Sequence, residues 1–257
     1  MIANYHTHTP RCHHASGSEE EYVLMAIARG LKTLGFADHA PMPFTDGHYS
    51  NYRMQLDQFS DYIETLLALR EKYRKQINIL IGLEAEYYPV VFSRMLDFIK
   101  PYPVDYLILG QHFLGNEDEG ENPCSKPTEE ETRLVRYVDQ VIEGLHTGCF
   151  SCLAHPDLLH YVHNDQIYRR EAVRLCLAAK EMGVPLELNL LGLVFGRHYP
   201  RDNFWQIAAE CGNDVILGCD AHEVVRTANP AELERGMAIV EKHGLRLLQE
   251  MPLRAVH

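Results

Sequence analysis

The sequence predicts an α/β protein whose βα units close into a barrel, with the active site at the carboxyl ends of the strands. Three observations carry this expectation. Short apolar or β-branched runs alternate with amphipathic helical patterns almost from end to end of the 257 residues. No low-complexity linker or internal repeat interrupts the alternation, which points to one domain over residues 1–257. Histidines and carboxylates recur where the predicted strands end. An open doubly wound sheet is the competing arrangement. The histidines favour the barrel, because there the loops after the strands converge on one face and bring distant parts of the chain together.

Seven strands are expected, near residues 2–8, 33–38, 77–84, 104–110, 150–154, 185–189 and 214–219. The first ends His6-Thr7-His8, and strand alternation puts residues two apart on the same face, so both imidazoles point at one site. His14 follows in the loop. A helix over about 19–29 has Ser18 and Glu21 spaced as a capping box and Gly30 as its stop. The second strand closes on Gly35-Phe36-Ala37-Asp38 and is followed by His39 and a helix near 57–75. The third carries Glu84, the fourth runs into His112 and the fifth into His155, with helices near 90–99, 128–146 and 166–182 between and after them. Beyond the sixth strand and a helix near 202–210, the seventh runs into Asp220 and His222, and a helix near 230–243 follows. Tyr87-Tyr88 and Phe204-Trp205 read as core.

Composition excludes several function classes. With 46% hydrophobic residues the chain can bury a sizeable core, yet no stretch approaches the roughly 20 apolar residues that cross a bilayer. The first residues lead into a polar, His-rich segment with no signal-peptide core, so a cytoplasmic location is expected. Seven cysteines, Cys12, Cys124, Cys149, Cys152, Cys176, Cys211 and Cys219, are odd in number and scattered, which reads as free thiols; Cys149-Phe-Ser-Cys152 is a lone CxxC without a second pair. A net charge of −12 without a Lys/Arg-rich tract argues against a general nucleic-acid surface. An anionic substrate would then need bound cations to shape the local field.

Such cations are what the strand ends suggest. His6, His8, His14, His39, Glu84, His112, His155, Asp220 and His222 are nine groups of mixed nitrogen and oxygen character. That set suits zinc, manganese or iron and exceeds the three or four protein ligands that one catalytic ion takes. Two to three divalent transition-metal ions are implied. A carboxylate can bridge two of them, and Glu84 is the natural candidate.

The same residues carry a family resemblance. His6-x-His8, His14, Asp38-His39, Gly82-Leu83-Glu84, Gly110-Gln111-His112-Phe113, His155-Pro156-Asp157 and Asp220-Ala221-His222 resemble the successive motifs of the PHP superfamily of polymerases and histidinol phosphatases. The opening segment and the later LELNLLG, followed by Tyr199-Pro200, are similar to the histidinol-phosphatase branch. The resemblance implies a distorted seven-stranded, TIM-like barrel with a trinuclear centre. It implies a first ion on His6, His8, Glu84 and Asp220, a second on Glu84, His112 and His155, and a third on His14, His39 and His222. His14 rather than the adjacent His13 fits the family spacing, and Asp38 takes the place of a residue that orients a ligand. Gln111 and Cys219 depart from commoner family residues without removing a ligand, and His160 stands where a basic phosphate contact is usual.

The implied chemistry is phosphate-monoester hydrolysis, with a metal-bridging hydroxide attacking phosphorus. Besides the ligands Glu84, Asp220 and His222, candidate catalytic groups are Asp157 and His198, either of which would protonate the leaving oxygen. Arg197, Arg11 and His160 are candidate phosphate contacts. The acidic loop 115–123 would be a solvated turn or a lid attracting a cationic substrate. The expected reaction is hydrolysis of L-histidinol phosphate in histidine biosynthesis. Another phosphoesterase, acting on a nucleotide, sugar phosphate or phosphotyrosine, and a non-catalytic metal-binding module are the competing readings. Long nucleic acid and membrane are not expected partners; a homo-oligomer is compatible with the sequence.

Overall fold

The computed structural model describes residues 1–44, 47–117 and 123–256. Among them, eight parallel strands form one sheet in sequential order: β1 (Ala3–Asn4), β2 (Thr33–His39), β3 (Asn78–Ala85), β4 (Tyr106–Leu109), β5 (Phe150–Leu153), β6 (Leu186–Asn189), β7 (Asp214–Gly218) and β8 (Arg246–Leu247). The sheet curls round until the segments after β1 and β7 come together. The bridge between Thr7 and Ala221 joins the segment after β1 to the segment after β7, with the amide of His8 donating to the Ala221 carbonyl at 3.0 Å. Helices α1 (Glu19–Ala28), α2 (Phe59–Tyr73), α3 (Phe92–Ile99), α4 (Glu131–His146), α5 (Asp165–Glu181), α6 (Leu190–Val194), α7 (Asp202–Cys211) and α8 (Pro230–His243) alternate with the strands. The barrel expectation therefore holds, with an eighth strand added. β8 is only two residues pairing with Asp214 and Val215, too short to leave a period in the sequence.

Two apolar layers hold the sheet. The larger lies between strands and helices and contains Tyr88, Phe204 and Trp205, as expected of them. The smaller fills the barrel interior with Ala3, Tyr5, Ala37, Tyr106, Ile108, Cys152, Ala154, Ile216 and Met251. Tyr106 is its keystone: the hydroxyl donates to the Tyr5 carbonyl at 2.7 Å and the Phe36 carbonyl at 3.1 Å. The ring lies over Gly35 and Gly82, where a methyl group would overlap it. Glycine at these two strand positions is thus a matter of close approach.

The first strand differs from expectation in an instructive way. Ala3 and Tyr5 point into the interior layer, yet His6 and His8 face the site, so the alternation changes phase between Tyr5 and His6. Regular pairing stops at Asn4, whose side-chain amide donates to the His6 carbonyl at 3.2 Å and Thr7 Oγ1 at 2.7 Å, satisfying the irregular backbone. α1 begins with the expected capping box, Ser18 and Glu21 bonding reciprocally. The helix expected from 57 begins instead as a 3₁₀ turn at Leu56–Gln58. α6 was not legible in the pattern; Asn189 caps it through the amide of Gly192 at 3.1 Å. The described cysteines are all free, and no described helix is long and apolar enough to cross a membrane.

Candidate metal centre

The strand ends open onto a cavity of about 410 Å³ whose lining includes His14, His39, Glu84, His112, His155, Asp220 and His222. His6 and His8 contact two of these, Glu84 and Asp220, from buried positions. All nine ligating groups expected from the sequence thus converge on one place.

Glu84 sits at the centre, and its two oxygens face different partners. Oε1 is 2.8 Å from His155 Nε2 and 3.6 Å from His112 Nε2. Oε2 is 3.0 Å from His39 Nδ1, 3.5 Å from His6 Nε2 and 3.6 Å from His8 Nε2. Asp220 Oδ1 lies 3.1 Å from His8 Nε2 and 3.5 Å from His6 Nε2. His14, His39 and His222 each offer a ring nitrogen within 4.8 Å of the others, as do His6 and His8 with an Asp220 oxygen.

On four of the rings, His6, His14, His112 and His222, a hydrogen bond on the far side fixes which nitrogen faces the centre. A carboxylate or carbonyl oxygen only accepts, so the ring nitrogen beside it carries the proton and the other presents a lone pair. His6 Nδ1 donates to Glu187 Oε1 at 2.7 Å, His112 Nδ1 to Glu86 Oε1 at 2.9 Å, His14 Nδ1 to the Cys12 carbonyl at 2.7 Å and His222 Nδ1 to the Asp220 carbonyl at 3.0 Å. These four rings turn lone pairs toward the centre. His6 Nε2 and His8 Nε2 are 3.1 Å apart, and His222 Nε2 is buried with no hydrogen-bond partner. His39 Nδ1, despite its distance to Glu84, makes no bond either. Buried lone pairs that face one another are costly unless a cation lies among them, so this donor set fits divalent transition metals.

The protonation equilibria show the same demand for positive charge. Burial works against a charged His6, but Glu187, Asp220 and Glu84 outweigh it and raise its pKa well above 6.5. His8 is raised likewise, chiefly by Asp220 and Asp38, against its burial. Burial would push Glu84 up, yet His112, His6 and His39 hold it well below the usual carboxylate range. Asp220 is lowered by His6, His8 and His222 in the same way. His39 goes the other way: burial lowers it to about 3, so it stays neutral. Two residues of the site, His155 (φ 30°) and Asp220 (φ 48°), have the positive φ that only a few per cent of non-glycine residues adopt, a conformation that clusters where function fixes the backbone.

Asp38 accepts from its own following amide, that of His39, at 2.8 Å and from the Thr9 amide at 3.2 Å, and lies 3.4 Å from His8 Nδ1, the place of a residue that orients a ligand. Sequence reading missed several others. Glu187 and Asn189 point inward from β6, Asn189 Nδ2 spanning Glu187 Oε2 at 3.0 Å and Asp220 Oδ2 at 3.1 Å. Their signal was present: Leu186-Glu187-Leu188-Asn189 alternates apolar and polar in a fully buried strand. Glu86 and the buried Arg53 behind it were also missed. So was Cys12, whose thiol burial raises but His14, His222 and His8 lower, to about 3.

The remaining candidates separate. Arg197 lines the cavity, donates to the Tyr199 hydroxyl at 2.6 Å and has no carboxylate partner among the described residues. Arg11 is outside the lining and is committed to Glu19 and Asp61. His160 and His198 stack at 4.0 Å in a neighbouring hollow, where His198 Nε2 donates to the Leu158 carbonyl at 2.7 Å and burial lowers its pKa to about 4. Asp157 is buried outside the lining, accepts from the Arg201 amide at 2.5 Å, and is raised by burial to about 6. In this geometry neither His198 nor Asp157 faces the cavity. Of the acidic loop 115–123, residues 118–122 lie outside the described residues; Glu117, at its start, is buried.

Known proteins are similar to this chain in sequence and in fold. The model of the PHP domain matches residues 4–190. A probable histidinol-phosphatase of Deinococcus radiodurans is 29% identical over 230 residues, covering 86% of both chains. The histidinol-phosphatase of Bacillus subtilis is 28% identical over 262 residues, covering 90% of this chain and 97% of its own. A crystal structure of histidinol phosphate phosphatase from Lactococcus lactis, complexed with Zn, L-histidinol and phosphate, superposes with a TM-score of 0.72 at 18% identity, covering 96% of this chain and 95% of that one. With a family model matching most of its length and the motifs of that family gathered at one end of its barrel, the chain belongs to the PHP domain family.

Proposed function

We propose that the protein is a metal-dependent phosphate monoester hydrolase whose substrate is L-histidinol phosphate. The observation that carries the metal-dependent part is Glu84, whose two oxygens serve separate groups of histidines, as a carboxylate bridging two ions does. In this reading His6, His8, Glu84 and Asp220 hold one ion, Glu84, His112 and His155 a second, and His14, His39 and His222 a third. Bound ions would supply a water of pKa near 7 and neutralise charge on the phosphoryl oxygens.

The chain's own groups bind and orient. Arg197, held by Tyr199, presents its guanidinium to the non-bridging oxygens. Phe113, Leu158, Leu191 and Phe195 give the cavity an apolar wall, and Glu223 supplies a carboxylate outside the histidine cluster for a cationic leaving group. The substrate assignment is supported by the names of the two curated relatives, each covering at least 86% of this chain.

A panel of L-histidinol phosphate, nucleoside monophosphates, sugar phosphates, phosphotyrosine and an aryl phosphate tests it. L-Histidinol phosphate should exceed every other ester in kcat/KM by at least about a hundredfold, roughly 2.7 kcal/mol of differential transition-state stabilisation. A flat profile would reject the substrate and keep the hydrolase.

A further inference from the structure

Behind His112 lies a buried polar cluster that the reaction as described does not use. Its hub is Arg53, 1% exposed, on the segment between β2 and α2. Every N–H of its guanidinium is engaged. Nη1 donates to the Ala40 carbonyl at 3.0 Å and to Glu86 Oε2 at 3.0 Å. Nη2 reaches Glu86 Oε1 at 3.1 Å, the Tyr52 hydroxyl at 2.7 Å and Glu117 Oε2 at 2.5 Å, and Nε donates to Glu117 Oε2 at 2.9 Å. Glu86, one alternation beyond Glu84, is fully buried; it accepts from this fork, from Tyr52 and from His112 Nδ1. One carboxylate thus stands between a fixed guanidinium and the imidazole that faces Glu84.

A guanidinium, two carboxylates and a phenol are costly to bury, and an apolar filling would pack this space at lower cost. The fork geometry, which lysine lacks, holds both Glu86 oxygens at once and leaves the carboxylate no freedom to turn away from His112. Glu117, at the start of the loop after His112, is clamped to the same guanidinium, so the chain is pinned on both sides of Phe113 and Leu114.

We propose that Arg53 is a positioning residue of the metal centre: by fixing Glu86 and Glu117 it sets the ring of His112, and so determines the affinity of the one ion site formed by Glu84, His112 and His155. The inference rests on the reading of His112 as a metal ligand, and its test reads metal occupancy, which the identity of the substrate does not affect.

The full chain, reconstituted with zinc, is dialysed against graded chelator, and zinc per chain is measured for the parent, Arg53→Lys, Glu86→Gln and Glu86→Asp, with circular dichroism confirming the fold of each. Arg70→Lys, which alters an ion pair with Asp105 outside the cavity lining, is the control. Arg53→Lys and Glu86→Gln should each release one ion at about 10- to 100-fold lower chelator activity, with the others held as in the parent. Glu86→Asp, which keeps the charged carboxylate on a shorter stem, should fall between, and kcat should drop with KM little changed. Should Arg53→Lys not fold, the Glu86 pair still decides the matter. Parent-like zinc release in Glu86→Gln, or in a folded Arg53→Lys, would overturn the proposal, and so would simultaneous loss of every ion.

Discussion

At the scale of single residues, what each side chain faces decides what it does. Glu84→Gln keeps size and removes charge, and a neutral amide is a poor bridge between cations. The variant should retain its circular dichroism and lose more than about a hundredfold in turnover, roughly 2.7 kcal/mol of barrier. Turnover within about tenfold of the parent would contradict the bridging role. Arg197 is the cavity arginine without a described carboxylate partner, and a charge-assisted bond to the substrate is worth about 1.5–3 kcal/mol. Arg197→Ala should therefore lower kcat/KM by about 10- to 150-fold for all phosphate esters alike. A loss confined to one ester would move Arg197 to leaving-group recognition. Arg11→Ala, with its guanidinium committed to Glu19 and Asp61, should leave kcat/KM unchanged within about threefold. The nine proposed ligands were legible in the sequence because histidines recur at the predicted strand ends together with Glu84 and Asp220. Of the groups behind them only Asp38 was read, through the family resemblance. Glu86 lies just past the end of β3, and the alternation that turns Glu187 inward shows a buried polar group without showing that its partner is a histidine.

At the scale of elements, strands place the chemistry and glycines let them close. β2 and β3 run side by side so that His39 pairs in register with Glu84, which sets an imidazole beside the central carboxylate by backbone geometry alone. Below them Tyr106 needs Gly35 and Gly82. Gly82→Ala should overpack the barrel interior and cost about 1–3 kcal/mol, a fall of roughly 2–12 °C in Tm; an unchanged Tm would show that the ring can move aside. Most elements were visible as alternation or helical period, and α1 also through its capping box. The exceptions share a physical cause. β1 has two paired residues before its phase change, β8 has two, and α6 is one turn and a half held by Asn189 and packed against α8, so neighbours and not local period determine all three.

At the scale of the whole molecule, a chain of net charge −12 gathers histidines around buried carboxylates at one end of a barrel. Without cations, protons take their place. Glu84 and Asp220 have folded pKa values below their unfolded ones, so their contribution to stability is present above about pH 4 and is lost as pH falls through the lowered values. His6 and His8 are raised, so theirs is complete below about pH 6.5 and is lost as pH rises through the raised values. Metal ions need the same nitrogens without protons. The Tm difference between zinc-loaded and chelator-treated protein should therefore widen from about pH 6 to pH 8. At a thousandfold excess of zinc over Kd the stabilisation is about 4 kcal/mol, or roughly 8–16 °C. A difference that stays constant or narrows would contradict the shared use of these nitrogens.

The claim on which the rest depends is that the strand ends form one multinuclear centre around Glu84. Elemental analysis of the purified chain after reconstitution with zinc, manganese or iron measures it directly. Two to three ions per chain are expected in the parent, and at least one fewer in Glu84→Gln. At most one ion per chain in the parent under every reconstitution would contradict it.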